Sequence, residues 1–331
     1  MEPGTRPAHE RTLVIHKERV GNNHVRLLLD SRSVAPWTRP GQFVHVLCPS
    51  ESQLQWMAKQ KGRVLLAGEM LAQTAPLPLL RRPLSVYRLC GQQYMARRLR
   101  EQVAPVEAPA YPRQCNGLEL LFRVVGPGTQ ALADRNPGET VDLLGPLGNG
   151  FTIGPSTEQA LLVAGGIGVA PLLALAQELR LRGRQVTALV GALDSKAIPL
   201  GVDPQVDRSF SDLGLEFMLR EFDQIGVRSV LVSEQEHGML VTEYLGRFLE
   251  ENRGTRYELF ACGPKGMLAE VTRLAGRRPC QVLLEERMAC GVGACRGCVV
   301  KVRNGRKAHF RSVCKEGPVF RAQDVIWDEL D

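Results

Sequence analysis

The sequence predicts an α+β protein of several domains, in which an antiparallel β-barrel, an α/β domain with a parallel sheet and a small cysteine-rich segment follow one another. Three observations predict this class. Short β-rich runs separated by turn residues fill the first part of the chain, and strands and helices alternate over residues 159–276. Four cysteines crowd into residues 290–331. A length of 331 residues accommodates two or three such domains.

The composition is that of an ordinary globular protein. Hydrophobic residues make up 44% and charged residues 23%, which excludes disordered and collagen-like chains. The net charge of +7 comes from basic residues spread in short groups such as Arg81-Arg82 and Arg277-Arg278, so we expect a solvated surface and no nucleic-acid partner.

The chain shows no membrane or export signal. No run reaches the eighteen or so apolar residues of a membrane helix, and Met1–Arg11 lacks the apolar segment of a secretory signal. We therefore expect a cytoplasmic protein that does not bind membranes. In that reducing compartment its nine cysteines would not form disulfides.

Residues 11–155 are predicted to form the barrel. Its first strands are the β-rich runs Thr12–Ile15, Val25–Leu29 and Gln42–Val46, and turn signals such as Arg39-Pro40-Gly41 separate them. Many short strands with glycine and proline turns are typical of a barrel or a sandwich.

Two stretches interrupt this rhythm and are interpreted as insertions, near 49–80 and 91–117. The first includes a helix candidate at Gln53–Gln60. The second contains the basic run Arg97–Arg100, which is either an exposed loop or an extension of a partner interface.

Within the barrel segment, Arg82-Pro83-Leu84-Ser85 places a cation, a rigid turn and a hydroxyl before a strand. An arginine can hold a diphosphate through its fork of donors. Leu121, Phe122 and Arg123 lie in a later strand, and Gly128 and Thr129 follow in a segment that can open a helix with free N–H groups for a phosphate. Taken alone, each pattern is more often a surface arginine or a plain turn.

Residues 156–279 are predicted to form the α/β domain, with parallel strands covered by helices. Its strands are Ala160–Ala164, Gln185–Val190, Val227–Val232 and Tyr257–Ala261, and its helices are Pro171–Arg182 and Met267–Leu274.

Gly165, Gly166 and Gly168 form the turn between the first strand and its helix, where phosphates bind in such folds. Pro171 stands where the last glycine of the full dinucleotide fingerprint would fall. The residues alone allow either a nicotinamide dinucleotide site or a plain turn.

Residues 280–331 carry the cysteine pattern. Cys290, Cys295, Cys298 and Cys314 have the C-x4-C-x2-C…C spacing of plant-type [2Fe–2S] ferredoxins. Gly291, Gly293 and Gly297 would let the loop bend around the cluster sulfides. The alternatives are a four-thiolate zinc site, which usually has paired C-x2-C knuckles, and free buried thiols.

Several strings occur in order along the chain: R-P-L-S at 82–85, L-F-R-V-V-G-P-G-T at 121–129, L-L-G-P-L-G-N-G-F at 143–151, A-G-G-I-G-V-A-P at 164–171, A-C-G-P at 261–264 and M-A-C-G-V-G-A-C-R-G-C from 288. In these strings the chain resembles the family of electron-transfer subunits of NAD-linked dihydroorotate dehydrogenases. That family belongs to the ferredoxin reductase-like flavoprotein superfamily. The two insertions depart from its more compact form.

The resemblance implies three cofactor sites. FAD would bind in the barrel at Arg82, Pro83, Leu84, Ser85, Leu121, Phe122, Arg123, Gly128 and Thr129. NAD would bind at Gly165, Gly166, Gly168, Cys262, Gly263 and Pro264. A [2Fe–2S] cluster would be held by Cys290, Cys295, Cys298 and Cys314.

Two residues near the NAD site have competing interpretations. Cys262 lies where the superfamily brings the nicotinamide to the flavin, but a cysteine there is more often a packing residue than a redox group. Asp194 follows the second sheet strand and would either bind the adenosine ribose, which favours NAD over NADP, or cap its loop.

The resemblance also implies an activity and a partner. Electrons would pass from the FMN of a dihydroorotate dehydrogenase catalytic subunit through the cluster and FAD to NAD+, in pyrimidine biosynthesis, within a heterotetramer. Nicotinamide exchanges two electrons and the cluster exchanges one, so a flavin is needed to connect them. No catalytic base is expected in this chain, because dihydroorotate is oxidised in the partner.

Two other functions stay open. One is an NAD(P)H-oxidising subunit of another redox complex, such as a hydrogenase, a sulfur reductase or a transhydrogenase. Some of those relatives have aspartate in place of the first cysteine, and Cys290 argues against them. The other is a non-catalytic metal-binding scaffold, against which the retained Arg82, Ser85, Gly128 and Thr129 argue.

Overall fold

The computed structural model describes residues 7–21, 23–48, 81–91, 95, 115–204, 217–305 and 307–329. The predicted insertion 49–80, with its helix candidate Gln53–Gln60, lies outside the described residues. Most of the second insertion, including Arg97–Arg100, lies outside them as well.

The first part of the described chain is a closed antiparallel barrel, as predicted. Its strands follow the order β1-β2-β5-β4-β3-β6 around the barrel. They are β1 (Ala8–Val20), β2 (His24–Asp30), β3 (Phe43–Leu47), β4 (Arg82–Gly91), β5 (Cys115–Arg123) and β6 (Thr140–Leu147). Closure leaves no unpaired edge, because each strand pairs with a neighbour on both sides.

Strand β3 shows how the barrel joins the rest of the molecule. Val44 and Val46 pack inside the barrel core, whereas Phe43 belongs to a different core shared with the sheet. Successive side chains of a strand point to opposite faces, so Phe43 and His45 leave the barrel on the side of the other domains. The short helix α1 (Pro127–Ala133) adds Leu132 and Ala133 to the barrel core.

The second part is the expected sheet covered by helices. Its sheet strands are β7 (Gln159–Gly165), β8 (Gln185–Ala192), β11 (Arg228–Ser233), β12 (Tyr257–Cys262) and β13 (Cys280–Leu283), while β9 (Val202–Pro204) and β10 (Phe217–Leu219) pair with each other in a separate antiparallel sheet. Its helices are α2 (Val169–Leu181), α3 (Arg220–Asp223), α4 (Glu234–His237), α5 (Val241–Glu251) and α6 (Lys265–Ala275). The helix predictions at Pro171–Arg182 and Met267–Leu274 match α2 and α6 within two residues.

Helix α5 was not predicted, although its sequence has an apolar face. Its buried side chains recur at helical spacing and pack on the sheet: Val241, Thr242, Tyr244, Leu245, Phe248 and Leu249. The Glu243 carboxylate accepts the backbone N–H of Leu240 at 2.8 Å and closes the first turn.

The last part of the chain returns to the sheet. A hairpin of β14 (Val299–Asn304) and β15 (Lys307–Ser312) is followed by β16 (Val319–Arg321). Sheet order in the described residues is β11-β8-β7-β12-β13-β16, with β16 antiparallel to β13 and the other neighbours parallel. The sheet is therefore mixed, whereas the alternating pattern predicted only parallel strands.

One apolar core joins the three parts of the chain. It contains Phe43 and Leu147 of the barrel, Leu161 of the sheet, and Cys298 and Cys314 of the cysteine segment. Among the described residues, no helix has the length and apolar character needed to cross a membrane.

Candidate functional site

A cavity of about 360 Å³ opens beside the barrel, between β4, β5, the start of α2 and the chain after β13. Eight of the nine residues predicted for the flavin line it: Arg82, Pro83, Leu84, Ser85, Leu121, Phe122, Arg123 and Thr129. Strands β4 and β5 are neighbours in the barrel, which brings the two sequence strings together. A cavity of this size is within the range of cofactor sites.

Gly128, the ninth residue, lies under the Arg82 side chain. A Cβ atom at Gly128 would come within 2.8 Å of Arg82 Nε, so the glycine leaves room for the guanidinium over the first turn of α1. A guanidinium that borders a cavity is a good ligand for a diphosphate. The pair therefore fits the phosphate end of a flavin dinucleotide.

Besides lining the cavity, Thr129 holds the turn that precedes α1. Its hydroxyl accepts the backbone N–H groups of Val125, at 2.9 Å, and Gly126, at 3.2 Å. These two N–H groups, which precede the helix, are used within the turn, whereas a phosphate site at this helix start would use the N–H groups of Gly128 and Thr129. Thr129 shapes the turn that presents Gly128 to Arg82.

A second cavity, of about 770 Å³, lies at the carboxyl ends of β7, β8, β11 and β12. Parallel sheets bind their ligands at this edge. Gly165, Gly166, Gly168, Gly263 and Pro264 line it, as expected for the NAD site.

Two positions of the turn after β7 favour glycine for different steric reasons. Gly166 has φ of +54° and no atom within 4 Å of the place that a Cβ would take, so it bends the chain and stays open to the cavity. A Cβ at Gly168 would come within 2.6 Å of the carbonyl carbon of Cys262, so only glycine lets the turn lie against the end of β12. Pro171 lies in the first turn of α2, where proline is tolerated.

In the part of the chain that the structure describes, Cys262 is not one of the residues that line this cavity. Its side chain is fully buried, and burial raises the pKa of the thiol well above its ordinary value. The packing interpretation of Cys262 therefore fits better than a redox role.

Asp194 caps its loop. Its carboxylate accepts the backbone N–H of Ala197 at 2.7 Å, and Glu234 rather than Asp194 lines the nucleotide cavity. Ser195, which follows Asp194, donates its backbone N–H at 3.0 Å and its hydroxyl at 2.6 Å to the Glu236 carboxylate. These hydrogen bonds lower the pKa of Glu236.

The two cavities share a wall formed by Arg123, Ile167, Leu284 and Glu285. The Glu285 side chain is exposed beside the two cavities, and partial desolvation by the protein around its carboxyl group raises its pKa. The neighbouring Glu286 forms an ion pair with Lys265 at 2.8 Å. Sequence reasoning missed Glu285. Its signal was an acidic pair directly after the last parallel strand, at the edge where ligands bind.

The cysteine loop directs backbone N–H groups at the sulfur atoms. Gly293 donates to Cys314 Sγ at 3.1 Å, Cys295 to Cys290 Sγ at 3.4 Å, and Cys314 to Cys298 Sγ at 3.4 Å. Such donors stabilise negative charge on sulfur and tune a bound cluster. The donor set therefore fits an iron–sulfur cluster.

Two of the three predicted glycines bend this loop. Gly291 and Gly293 have φ of +69° and +82°, whereas Gly297 does not take the left-handed conformation and Arg296 does, at 54°. The φ of Gly297 therefore does not require glycine, and a Cβ there would lie 3.7 Å from Cys295 Sγ.

The loop has a buried side and an exposed side. Cys298 and Cys314 are buried and Cys295 is exposed. Backbone hydrogen bonds, first that from Cys295, lower the pKa of Cys290 to about 6. Within the described residues, no group of three or more histidine, cysteine or carboxylate side chains converges as the ligands of one metal ion would.

Comparisons with known proteins agree with this arrangement. The family model for the iron-sulfur cluster binding domain of dihydroorotate dehydrogenase B matches residues 285–326. The dihydroorotate dehydrogenase B (NAD(+)) electron transfer subunit of Geobacillus kaustophilus (strain HTA426) is 34% identical over 322 residues, which covers 96% of this chain and 98% of that one. The subunit of the same name from Desulforamulus reducens is 31% identical over 312 residues, covering 93% and 95%.

Solved structures confirm the ferredoxin reductase-like fold. The structure of an NADH-dependent reduced ferredoxin-NADP oxidoreductase superposes with a TM-score of 0.67 at 25% identity, covering 96% of this chain and 91% of that one. Phthalate dioxygenase reductase superposes with a TM-score of 0.50 at 17% identity, covering 93% and 77%.

The identity over nearly the full length of both chains and the matching cluster-binding domain lead to one conclusion: the chain belongs to the family of dihydroorotate dehydrogenase B (NAD(+)) electron transfer subunits.

Proposed function

We propose that this chain passes electrons from the FMN of a dihydroorotate dehydrogenase catalytic subunit, through a [2Fe–2S] cluster and FAD, to NAD+ in pyrimidine biosynthesis. The observation that carries the proposal is the wall shared by the two cavities at Arg123, Ile167, Leu284 and Glu285. Ligands on either side of this wall would meet there. FAD, when bound, would exchange a hydride with the nicotinamide and single electrons with the cluster.

On the flavin side, strand residues position the dinucleotide. Arg82 would bind its phosphates from above Gly128, and Pro83, Leu84 and Ser85 would lie along it. Leu121, Phe122 and Arg123 would form the opposite wall, with Thr129 holding the turn. The apolar side chains among them would keep water away from the reacting edge of the bound flavin.

On the nucleotide side, Gly165, Gly166 and Gly168 would accommodate the phosphates of NAD. Gly263 and Pro264 would border the nicotinamide, with Cys262 packed behind them. The acidic Glu234 at the same cavity favours a cofactor without a 2′-phosphate.

On the cluster side, Cys290, Cys295, Cys298 and Cys314 would hold the cluster. Cys295, Val292 and Phe310 are exposed, and we infer that the catalytic subunit docks on this face. The proposed assembly is a heterotetramer with an FMN-containing partner, in the cytoplasm, whose reducing conditions keep cysteine thiols free.

We propose that each of the three predicted segments of the chain binds one cofactor. Residues 11–155 would bind FAD, residues 156–279 would bind NAD, and residues 280–331 would carry the cluster. Strand β13, at the start of the third segment, pairs with β12 of the second, so the last boundary runs through the sheet.

An anaerobic spectrum of the purified protein, with iron, sulfide and flavin analysis, tests the proposal. We expect one FAD and two irons per chain, and bleaching of both chromophores by NADH. Zinc without flavin would overturn the oxidoreductase function and favour a docking scaffold.

The partner is tested in a second step. Addition of an FMN-containing dihydroorotate dehydrogenase catalytic subunit and dihydroorotate should produce NADH from NAD+. If the loaded protein oxidises NADH but yields none with this partner, the chain would be a reductase of another redox complex.

A further inference from the structure

The side chain of His45 points out of the barrel on the same side as that of Phe43 and contacts the cysteine loop. Its side chain is 1% exposed. A Cβ atom at Gly291 would come within 2.6 Å of His45 Nε2 and 2.7 Å of its Nδ1, so the imidazole lies directly against the backbone of Gly291. Gly291 follows Cys290, the first of the four cysteines.

The Nε2 atom of His45 is buried and has no hydrogen-bond partner among the described residues. An unsatisfied polar atom in a protein interior is costly, and each such case calls for an explanation. Burial, and then the charge of Arg81, lower the pKa of His45 to about 4. The neutral ring carries one N–H group, which can be on Nε2.

Phe43 extends this contact to the flavin cavity. It is two residues from His45 on β3, lines that cavity, and its ring centroid lies 5.7 Å from that of His45. A continuous chain of contacts therefore runs from the flavin cavity through Phe43 and His45 to Gly291 in the cysteine loop.

We propose that His45 is a positioning residue for the cluster, which seats the loop after Cys290 against the flavin barrel and donates a hydrogen bond from Nε2 to a sulfur atom of the cluster or its ligands. The inference rests on the proposed function, because it needs a cluster in this loop. A hydrogen bond to sulfur stabilises the reduced, more negative state and raises the reduction potential. His45 thus favours reduced over oxidised cluster at the flavin end of the route.

The first test uses the unaltered protein. With histidine labelled with ¹⁵N, pulsed electron paramagnetic resonance of the reduced protein should show a nitrogen coupled to the cluster. The coupling should disappear in His45→Gln and persist in His309→Gln, a matched variant of an exposed histidine on β15. A loaded protein without any ¹⁵N coupling overturns the hydrogen bond.

The second test is a redox titration followed by the same signal. In His45→Leu, the ratio of reduced to oxidised cluster at a fixed potential should fall about tenfold, which corresponds to about 59 mV for one electron. His45→Gln keeps an N–H donor and should stay within about threefold of the unaltered protein. Equal potentials in the leucine variant and the unaltered protein overturn the role of His45.

Iron analysis separates the two levels of failure. If the unaltered protein binds no iron, the proposed function fails together with this inference. If it binds two irons and shows neither coupling nor shift, only the role of His45 fails.

Discussion

Arg26 of the barrel and Glu221 of helix α3 form an ion pair in which both side chains are almost fully buried, at 3% and 5% exposure. The second Glu221 oxygen accepts the backbone N–H of Gly201 at 2.9 Å. The Arg26 guanidinium also lies over the ring of buried Tyr87, 5.4 Å from its centroid. The pair therefore joins the barrel to the sheet through a desolvated contact.

Glu221→Gln should destabilise the protein by about 1.5–3 kcal/mol, because it removes the closest counter-ion of the buried Arg26 and leaves Glu18, at 3.7 Å, as its remaining ion-pair partner among the described residues. Urea unfolding measures the loss. The exposed pair Arg220 and Asp203 supplies the control, since Asp203→Asn should cost about 1 kcal/mol or less. Equal effects of the two variants would show that the buried pair contributes no more than a surface pair.

Gly168→Ala should weaken NADH binding, because its Cβ would collide with the carbonyl group of Cys262 and displace the turn. Flavin and iron contents should stay unchanged, and a loss of NADH affinity of at least tenfold is expected in a titration. Gly254→Ala is the control, since nothing lies within 4 Å of a side chain there. Unchanged NADH affinity in Gly168→Ala would place the dinucleotide elsewhere.

Cys298→Ala should lose the cluster, because one of the four proposed ligands is removed. Iron analysis is expected to fall from two irons per chain to near zero, while FAD is retained. Cys262→Ala removes an equally buried thiol outside the loop and should keep both irons and electron transfer. Loss of NADH-driven flavin reduction in Cys262→Ala would instead assign a redox role to that thiol.

Glu285→Gln should change how stability depends on pH. Partial desolvation raises the pKa of Glu285 in the folded protein, so the folded state binds its proton more tightly than the unfolded state does; because the side chain is exposed, the effect on stability is small. Ionisation of Glu285 therefore costs stability as pH rises from about 4.5 through the raised folded pKa. Over this pH range the stability of the glutamine variant should rise relative to that of the unaltered protein. Above the range the difference in stability should stay constant. Denaturation series at several pH values check this, and parallel curves would contradict it.

Glu234→Gln should weaken discrimination against NADPH, because this carboxylate lines the nucleotide cavity and repels a 2′-phosphate. The ratio of kcat/KM for NADH over NADPH should fall up to about fivefold, as expected for an exposed charge interaction of about 1 kcal/mol or less. Asp194→Asn is the matched change at the loop cap and should leave the ratio unaltered. The opposite pattern would restore Asp194 as the ribose ligand.

The sequence predicted those features that depend on local signals. The glycine turn at Gly165–Gly168 stands between a short apolar strand and a helical pattern, so its place at the sheet edge follows from neighbouring residues. The cysteine spacing is equally local. Eight of nine predicted flavin residues line one cavity, because Arg82–Ser85 begin β4 and Leu121–Arg123 end the antiparallel neighbour β5, a pairing that the sequence strings alone do not give.

Features that depend on distant segments could not be predicted. Val319–Arg321 is only three residues long, and its antiparallel pairing with β13 depends on the path of the chain around the cysteine loop. In the sequence, His45 is one polar residue in an apolar strand, and only the fold brings it to Gly291. Glu285 borders two cavities whose other walls are formed by distant segments, so its place in the site could not be read from its neighbours in the sequence.

The pairing of β16 with β13 has a consequence for how the molecule works. The sheet holds the cysteine loop at both ends, by β13 before it and β16 after it. An iron–sulfur carrier fixed in this way does not swing between donor and acceptor on a linker. Electron delivery then occurs over one constant distance, and its rate should not depend on the viscosity of the solvent.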